Sequence, residues 1–201
     1  MKSVFTGMDE IKDRINRRGN SNFLKVEDGQ KATIRFLQEL DKQGRGYTPD
    51  RGTAYGVTEH VNPDDFSQSF VCISEDGSCY GCELVAKNSK WKAKSRILVN
   101  VLVRGTGGEK DEVKVLQMSV WKKGVIMTLI SKADEDSTIV DCDFIYKREG
   151  TKFDTHYELL PRGIKPLTKE EEKLELVDLE AIPRRLSYDE QVELVKSQTD
   201  W

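Results

Sequence analysis

Residues 72–82, Cys-Ile-Ser-Glu-Asp-Gly-Ser-Cys-Tyr-Gly-Cys, contain three of the four cysteines of the chain, and His60 lies upstream of them in the order His-x11-Cys-x6-Cys-x2-Cys. A Cys-x-x-Cys pair places two thiolates at the mouth of a tight turn, where both can reach one tetrahedral Zn²⁺ at about 2.3 Å. We expect Gly77 and Gly81 to supply the unusual backbone dihedrals that such a turn needs. The pattern therefore predicts one structural zinc site with four protein ligands: His60, Cys72, Cys79 and Cys82.

Other uses of the cysteines fit the sequence less well. The chain begins Met1-Lys2-Ser3 and runs into a charged stretch without an apolar signal segment. We therefore expect a cytoplasmic protein, whose thiols stay reduced and form few disulfides. A thioredoxin-type pair needs a surrounding βαβ unit, which the pattern does not show. The remaining Cys142 alternates with apolar residues and is predicted to pack as a small hydrophobe, and His156 is predicted to be a surface or strand histidine.

A hydrolytic zinc enzyme is a further alternative. Such a site needs three protein ligands, an open position for water and a nearby carboxylate base. Asp64, Asp65 and Glu75 are near in sequence. A thiolate-rich ligand set lowers the Lewis acidity of the metal, however, so we predict that the protein is not an enzyme.

Composition and charge set the broad class. With 201 residues, 37% of them hydrophobic and 33% charged, the chain can form one core, and its longest apolar stretch, residues 97–103, has the length of a strand. The net charge is −3, but residues 167–201 hold ten acids and five bases, so the other 166 residues carry +2. Such segregation occurs in proteins that bind polyanions, although a solvated acidic helix face produces it too. We predict an N-terminal helical arm (1–22), a core (23–166) with a zinc subdomain at about 56–90, and an acidic helical C-terminal segment (167–201).

Period-two alternation dominates the core. Ala32, Ile34 and Phe36 lie on one face after an Asp28-Gly29 turn, and six further strands are predicted at residues 53–60, 66–72, 96–103, 112–118, 137–147 and 153–160. Helices are predicted at residues 6–19, at 82–88, at 119–131 with Trp121, Val125 and Leu129 as its stripe, and after a Ser187–Glu190 capping box. We therefore predict a mainly β fold, an OB-fold barrel with an inserted zinc-binding subdomain and a few helices.

Several stretches together resemble the T-even phage single-stranded DNA-binding (helix-destabilising) protein family. They are the segment 28–37, the histidine-first ligand order with Ser78 before the Cys-x-x-Cys, the strand 96–103 with Asn100 inside an aliphatic run, and residues 113–130. The resemblance covers roughly residues 23–180. It implies an OB-fold core whose zinc-stabilised lobe forms a cleft for single-stranded DNA in replication, recombination and repair. It also implies polymerase, helicase loader or recombinase as partners, weak self-association on DNA, and no membrane.

Binding of single strands without sequence preference needs cations that follow the phosphates and aromatic faces on which bases stack. Both kinds of residue cluster around the predicted zinc lobe, the central strand and the last hairpin. Trp91, flanked by lysines, is the aromatic residue that we most expect to stack on a base. The alternative for each aromatic residue is core packing. The predicted nucleic-acid-binding residues are Tyr80, Lys87, Lys90, Trp91, Lys92, Lys94, Arg96, Lys122, Lys123, Tyr146, Lys147, Arg148, Phe153 and Tyr157. A second hypothesis is a zinc-stabilised protein-interaction module that acts as a transcription or replication accessory factor.

Overall fold

The computed structural model describes residues 22–62, 64–65, 69–87, 91–120, 124–151 and 154–196. Within these ranges the fold is mainly β, as predicted, with seven antiparallel strands in one open sheet and three α-helices. In chain order the elements are β1 Lys31–Phe36, β2 Tyr55–Val61, β3 Ser69–Val71, α1 Tyr80–Lys87, β4 Ala93–Val103, β5 Glu112–Ser119, α2 Val125–Asp136, β6 Cys142–Glu149, β7 His156–Ile164 and α3 Tyr188–Lys196.

β4 organises the sheet because it is long enough to pair with three strands. Its first half pairs with β2, where Tyr55 lies opposite Leu98, and its second half pairs with β1, where Ile34 lies opposite Val103. β5 pairs along the other edge of β4. β6 pairs with β1 and then with β7, while β3 extends the sheet beyond β2. The sheet therefore carries β2 and β3 at one end and the β6–β7 hairpin at the other.

The main core lies on one face of this sheet. Alternating residues of β1, β4, β5 and β6 are buried there, and Phe36 meets Phe144 edge-on with 5.1 Å between ring centroids. α2 covers this core with Val125 and Leu129, in agreement with the predicted stripe. Cys142 is fully buried in the same cluster, which confirms its predicted role as a small hydrophobe. The exposure of His156 also agrees with the prediction.

Two of the element boundaries that differ from the predictions do so because single residues end or delay the regular structure. α2 begins at Val125 rather than 119, since Gly124 precedes it with φ 109°, a conformation that favours glycine. β6 begins at Cys142 rather than 137. Ser137 has the left-handed conformation that ends α2, with φ 58°, and its N–H donates to the Ala133 carbonyl at 2.9 Å.

Residues 167–196, which we call the C-terminal strap, run from the main core to the β2–β3 end of the sheet. Leu167 packs against the main core, and Val177 and Leu179 pack with Leu98 and Val115 on the other face of the sheet. The strap ends in α3, which lies beside α1. The predicted capping box forms: the Ser187 N–H donates to the Glu190 carboxylate at 2.8 Å, and the Glu190 N–H donates to the Ser187 hydroxyl at 3.4 Å.

The predicted helix at residues 6–19 lies outside the described residues. Among the helices of the described ranges, not one combines the length and the apolar content that a membrane crossing requires.

Candidate metal centre and nucleic-acid interface

Three elements bring the predicted metal ligands together. His60 lies on β2, Cys72 follows β3 directly, and Cys79 and Cys82 lie at the start of α1. Their ligand atoms all lie within 4.8 Å of one another. The Cys82 sulfur is 3.6 Å from the Cys72 sulfur and 3.5 Å from His60 Nε2. Zn–S bonds of about 2.3 Å in a tetrahedron place neighbouring sulfurs about 3.8 Å apart, so the cluster could hold a metal ion and is consistent with zinc.

The start of α1 presents both thiols of the Cys-x-x-Cys pair to one point. The N–H groups of Cys82 and Glu83 donate to the Cys79 carbonyl at 3.1 and 3.3 Å, which fixes the first turn of the helix. Gly77 in the preceding turn has φ 146°, which agrees with the unusual backbone dihedral angles predicted for it. Gly81, in contrast, is helical and does not supply the predicted unusual dihedral angles. A glycine is needed there for space, since an added Cβ would lie 2.3 Å from His60 Cδ2.

The buried environment of His60 suits a ligand. Its ring is fully buried, and burial lowers its pKa, which favours the neutral imidazole that metals bind. Nε2 faces the thiols, while Nδ1 is buried without a hydrogen-bond partner among the described residues. Phe70 packs beside the imidazole with 5.8 Å between ring centroids. The ring is thus held in place by packing rather than by a second hydrogen bond.

Charge repulsion and hydrogen bonds within the cluster shift the pKa values of Cys72 and Cys82 in opposite directions. Burial alone would raise the pKa of Cys72, but hydrogen bonds from Ser74 and from the neighbouring thiols lower it. For Cys82, burial together with the hydrogen bond and charge of Cys72 and the charge of Cys79 raises the pKa to about 12. A bound divalent cation would remove this repulsion and release the remaining protons.

A cleft with two parts lies around the end of β5. Its larger part, about 740 Å³, is bounded by residues 23–27, the end of β5, the start of α2 and the hairpin. Its smaller part, about 270 Å³, lies between β2, β4 and the end of β5. Gln117 and Ser119 line both parts, so the two parts meet at the end of β5. We refer to them together as the cleft.

The cleft contains five of the predicted nucleic-acid-binding residues. Lys94 and Arg96 line its smaller part, and Tyr146, Arg148 and Tyr157 line its larger part. The two tyrosine rings stack, with 5.4 Å between centroids and 9° between planes. Lys90, Lys122, Lys123 and Phe153 lie outside the described residues.

The other predicted nucleic-acid-binding residues lie elsewhere. Trp91 is only 9% exposed and packs on Phe70 of β3. It therefore packs in the interior, which was the alternative to stacking on a base. Tyr80 contacts Tyr188 edge-on. The remaining three are lysines: Lys87 is exposed beside Glu83, Lys92 is exposed next to Trp91, and Lys147 pairs with Glu149.

Some residues of the cleft were not predicted. Lys25, Gln117 and Ser119 line it, and Arg96 contacts both Gln117 and the buried carboxylate of Glu59. Lys25 comes from a segment that runs beside β5, where Leu24 donates its N–H to the Val115 carbonyl at 2.9 Å. No sequence signal marks these positions, because only the pairing of distant strands brings them to one surface.

Comparison of the chain with protein-family models, with curated proteins and with solved structures found no match. The fold and the cluster themselves define a β-sheet protein with a candidate metal centre of one histidine and three cysteines.

Proposed function

We propose that the protein binds single-stranded DNA in the cleft and carries one structural Zn²⁺, as the resemblance to the T-even phage single-stranded DNA-binding family implies. The observation that carries the proposal is the cleft itself, in which cations lie on both sides of the end of β5 and an exposed tyrosine face lies on one of them. Coating of DNA in replication, recombination or repair, and delivery to a polymerase, helicase loader or recombinase, would follow from such binding.

The strand connections support an OB-fold. β1 pairs with both β4 and β6, β4 pairs with β5, and β6 pairs with β7. α2 lies between β5 and β6 in the chain, where the sequence predicted a helix between late strands of the barrel. OB-folds bind oligonucleotides on a partly open barrel. In this interpretation the larger part of the cleft occupies the gap between β5 and β7, where a barrel would close.

The chemistry of the cleft suits a single strand. Four cations line it, Lys25, Lys94, Arg96 and Arg148, against two carboxylates, Glu27 and Glu59. Tyr157 is 37% exposed while its partner Tyr146 is only 6% exposed, so the inner ring supports an outer ring that a base can stack on. A base stacked on an aromatic side chain contributes about 1–3 kcal/mol without sequence preference.

The metal centre has a structural role in this proposal. Four protein ligands leave no coordination site for a water molecule, so the zinc would hold β2, β3 and α1 together rather than catalyse a reaction. Binding of the single-stranded form alone shifts the duplex equilibrium by mass action and needs no catalytic residue. Metal analysis should find one zinc per chain, and Cys79→Ser or Cys82→Ser should lose it. Full retention of zinc by both variants would contradict the ligand assignment.

The DNA-binding proposal is tested by fluorescence anisotropy of a labelled oligo-dT, with duplex DNA as competitor. We expect binding that duplex does not displace, and Tyr157→Ala should weaken it by about 5- to 150-fold, the equivalent of about 1–3 kcal/mol. Lys110→Gln is the matched control. Lys110 is exposed in the β4–β5 loop, at the end of this hairpin away from the cleft, about 20 Å away at roughly 3.3 Å per residue. Equal affinity of Tyr157→Ala and wild type would exclude the cleft as the binding surface.

Salt dependence gives a second readout of the same surface. Release of counterions from single strands gives a slope of log K against log salt of about −0.7 per phosphate contact, so four cations correspond to a slope of about −3. The Lys25→Gln, Lys94→Gln double variant should make the slope shallower by about 1.4. An unchanged slope in this variant would mean that the phosphates lie elsewhere.

One observation favours the alternative, a zinc-stabilised protein-interaction module. Met127 and Ile130 of α2 and Leu160 and Ile164 of β7 are large apolar residues with 39–74% of their surface exposed. Met127 and Ile164 line one pocket, and exposed apolar side chains that cluster often mark protein-binding surfaces. Absence of oligo-dT binding at low salt would support this alternative over the DNA-binding proposal.

A further inference from the structure

Gln191 is a fully buried polar residue on α3, a helix whose other described residues are exposed or half-buried. Its side-chain oxygen lies 3.6 Å from the Cys79 sulfur, which donates to it, and accepts the Gly81 N–H at 3.3 Å. Its side-chain nitrogen donates to the Leu186 carbonyl at 3.1 Å. The amide therefore joins a metal-ligand thiol, the backbone between two ligand cysteines and the strap in one hydrogen-bonded unit.

The rest of α3 and the chain before it contact each segment that carries a cysteine of the cluster. The Val71 N–H, next to Cys72, donates to the Arg184 carbonyl at 2.9 Å. Arg185 pairs with Asp76 in the turn before Cys79, at 3.3 Å. The Tyr188 hydroxyl donates to Glu83, directly after Cys82, at 2.9 Å. Residues 184–191 thus contact β3, the 74–77 turn and α1.

The amide holds the segment that carries Cys79 and Cys82, because its oxygen accepts the Gly81 N–H between them while its nitrogen is fixed by the Leu186 carbonyl. Groups that hydrogen-bond metal ligands fix the orientation of those ligands, and their loss typically costs 10- to 100-fold in metal affinity. We propose that Gln191 is a positioning residue for the metal centre and that metal binding and docking of α3 stabilise each other. By reciprocity, the metal strengthens the docking of α3 by the same factor by which docked α3 raises the affinity for the metal.

This inference rests on the proposed zinc site, and its test has two readouts that do not depend on DNA binding. The first is transfer of Zn²⁺ from the full-length protein to a chromophoric chelator. Gln191→Met keeps the size of the side chain and removes its hydrogen bonds, and it should bind Zn²⁺ at least about tenfold more weakly. Glu193→Gln is the matched control, because Glu193 lies on the exposed face of the same helix. It should transfer zinc as wild type does.

The second readout is amide hydrogen exchange across α3 in wild type with and without chelator. Removal of zinc should accelerate exchange in α3, while the distant β6–β7 hairpin should exchange as before. This measurement decides the matter even if Gln191→Met fails to fold. The inference would be overturned, and the metal site kept, by three results together. Wild type would hold one zinc per chain, its α3 exchange would not change after chelation, and Gln191→Met would transfer zinc as wild type does. Wild type without bound zinc would overturn the metal site as well.

Discussion

At the scale of single residues, Gly81 shows how the metal cluster depends on space. Cys-Tyr-Gly-Cys brings two thiols to the start of α1, and that start approaches β2 so closely that the position of a side chain at residue 81 is taken by the His60 ring. A Cβ there would lie 2.3 and 2.4 Å from two carbons of the imidazole. His60 is fully buried and has no room to move aside. The glycine is therefore required by the approach of two elements and not by its own dihedral angles.

Gly81→Ala should separate α1 from β2 and lose metal. Forcing extra atoms into a packed site costs typically about 1–3 kcal/mol, and here the displaced group is itself a candidate ligand. Zinc content and thermal denaturation are the measurements. Gly56→Ala is the matched control, since Gly56 lies on the same strand as His60 and an added Cβ meets nothing within 4 Å. A Gly81→Ala protein with wild-type zinc content would contradict the packing argument.

At the scale of elements, the C-terminal strap attaches to the sheet through Asn100, the polar residue inside the aliphatic run of β4. Its side chain donates to the Val177 carbonyl and accepts the Val177 N–H, both at 3.0 Å. Asn100 also donates to Gln38 at 3.0 Å. The side chain thus pairs with the strap as a peptide group of a neighbouring strand would. Leu179 then covers Leu98 beside this contact.

Asn100→Leu should destabilise the protein by roughly 2–4 kcal/mol. The substitution keeps the approximate volume but leaves the N–H and the carbonyl of Val177 without their partners, each worth about 1–3 kcal/mol when buried, whereas Gln38 keeps the backbone N–H of residue 100 at 3.1 Å. Chemical denaturation measures the loss, and hydrogen exchange should locate it in residues 174–182. Unchanged exchange in that segment would show that the strap is held by its apolar contacts alone.

At the scale of the whole molecule, a charged cluster around Arg104 joins the β4–β5 loop, β6 and the C-terminal strap. Arg104, in the turn after β4, pairs with Asp143 of β6 at 3.0 Å, with Asp111 at 2.9 Å and with Glu171 of the strap. For Asp111, the Gly105 N–H and Arg104 lower the pKa. Burial would raise the pKa of Glu171, but hydrogen bonds from the Thr168 N–H and Arg104 lower it.

These lowered pKa values predict acid sensitivity. Carboxyl groups with a lower pKa in the folded state stabilise it above their unfolded pKa of about 4, and that stabilisation is lost as the pH falls through the folded pKa. Glu171→Gln should reduce stability by about 1–3 kcal/mol at pH 7, and its stability should fall less steeply below pH 4 than that of wild type. Thermal denaturation from pH 7 to pH 2.5 measures both. Parallel pH profiles would show that Glu171 does not contribute to the acid transition.

How much could be predicted depended on how local each signal was. The alternation before Phe36 and the turn at Gly29 predicted β1 closely, and the Ser187–Glu190 pair predicted the start of α3. The lysines around Trp91 predicted a stacking surface, yet the structure buries Trp91 against Phe70. A flanking charge is a local property, whereas burial depends on which distant element arrives above the ring.

The sequence by itself determined the mainly β class and the set of residues that could ligate a metal, because strand periodicity and the Cys-x-x-Cys turn act within a few neighbouring residues. Only the tertiary structure decided which surfaces those residues share. It placed Gln191 against Cys79, 112 positions earlier, and brought Lys94 and Tyr157 to the two parts of the cleft that meet at β5. Such contacts depend on the path of the chain through the sheet, since strand pairing joins segments that are far apart in sequence and local periodicity carries no information about their partners.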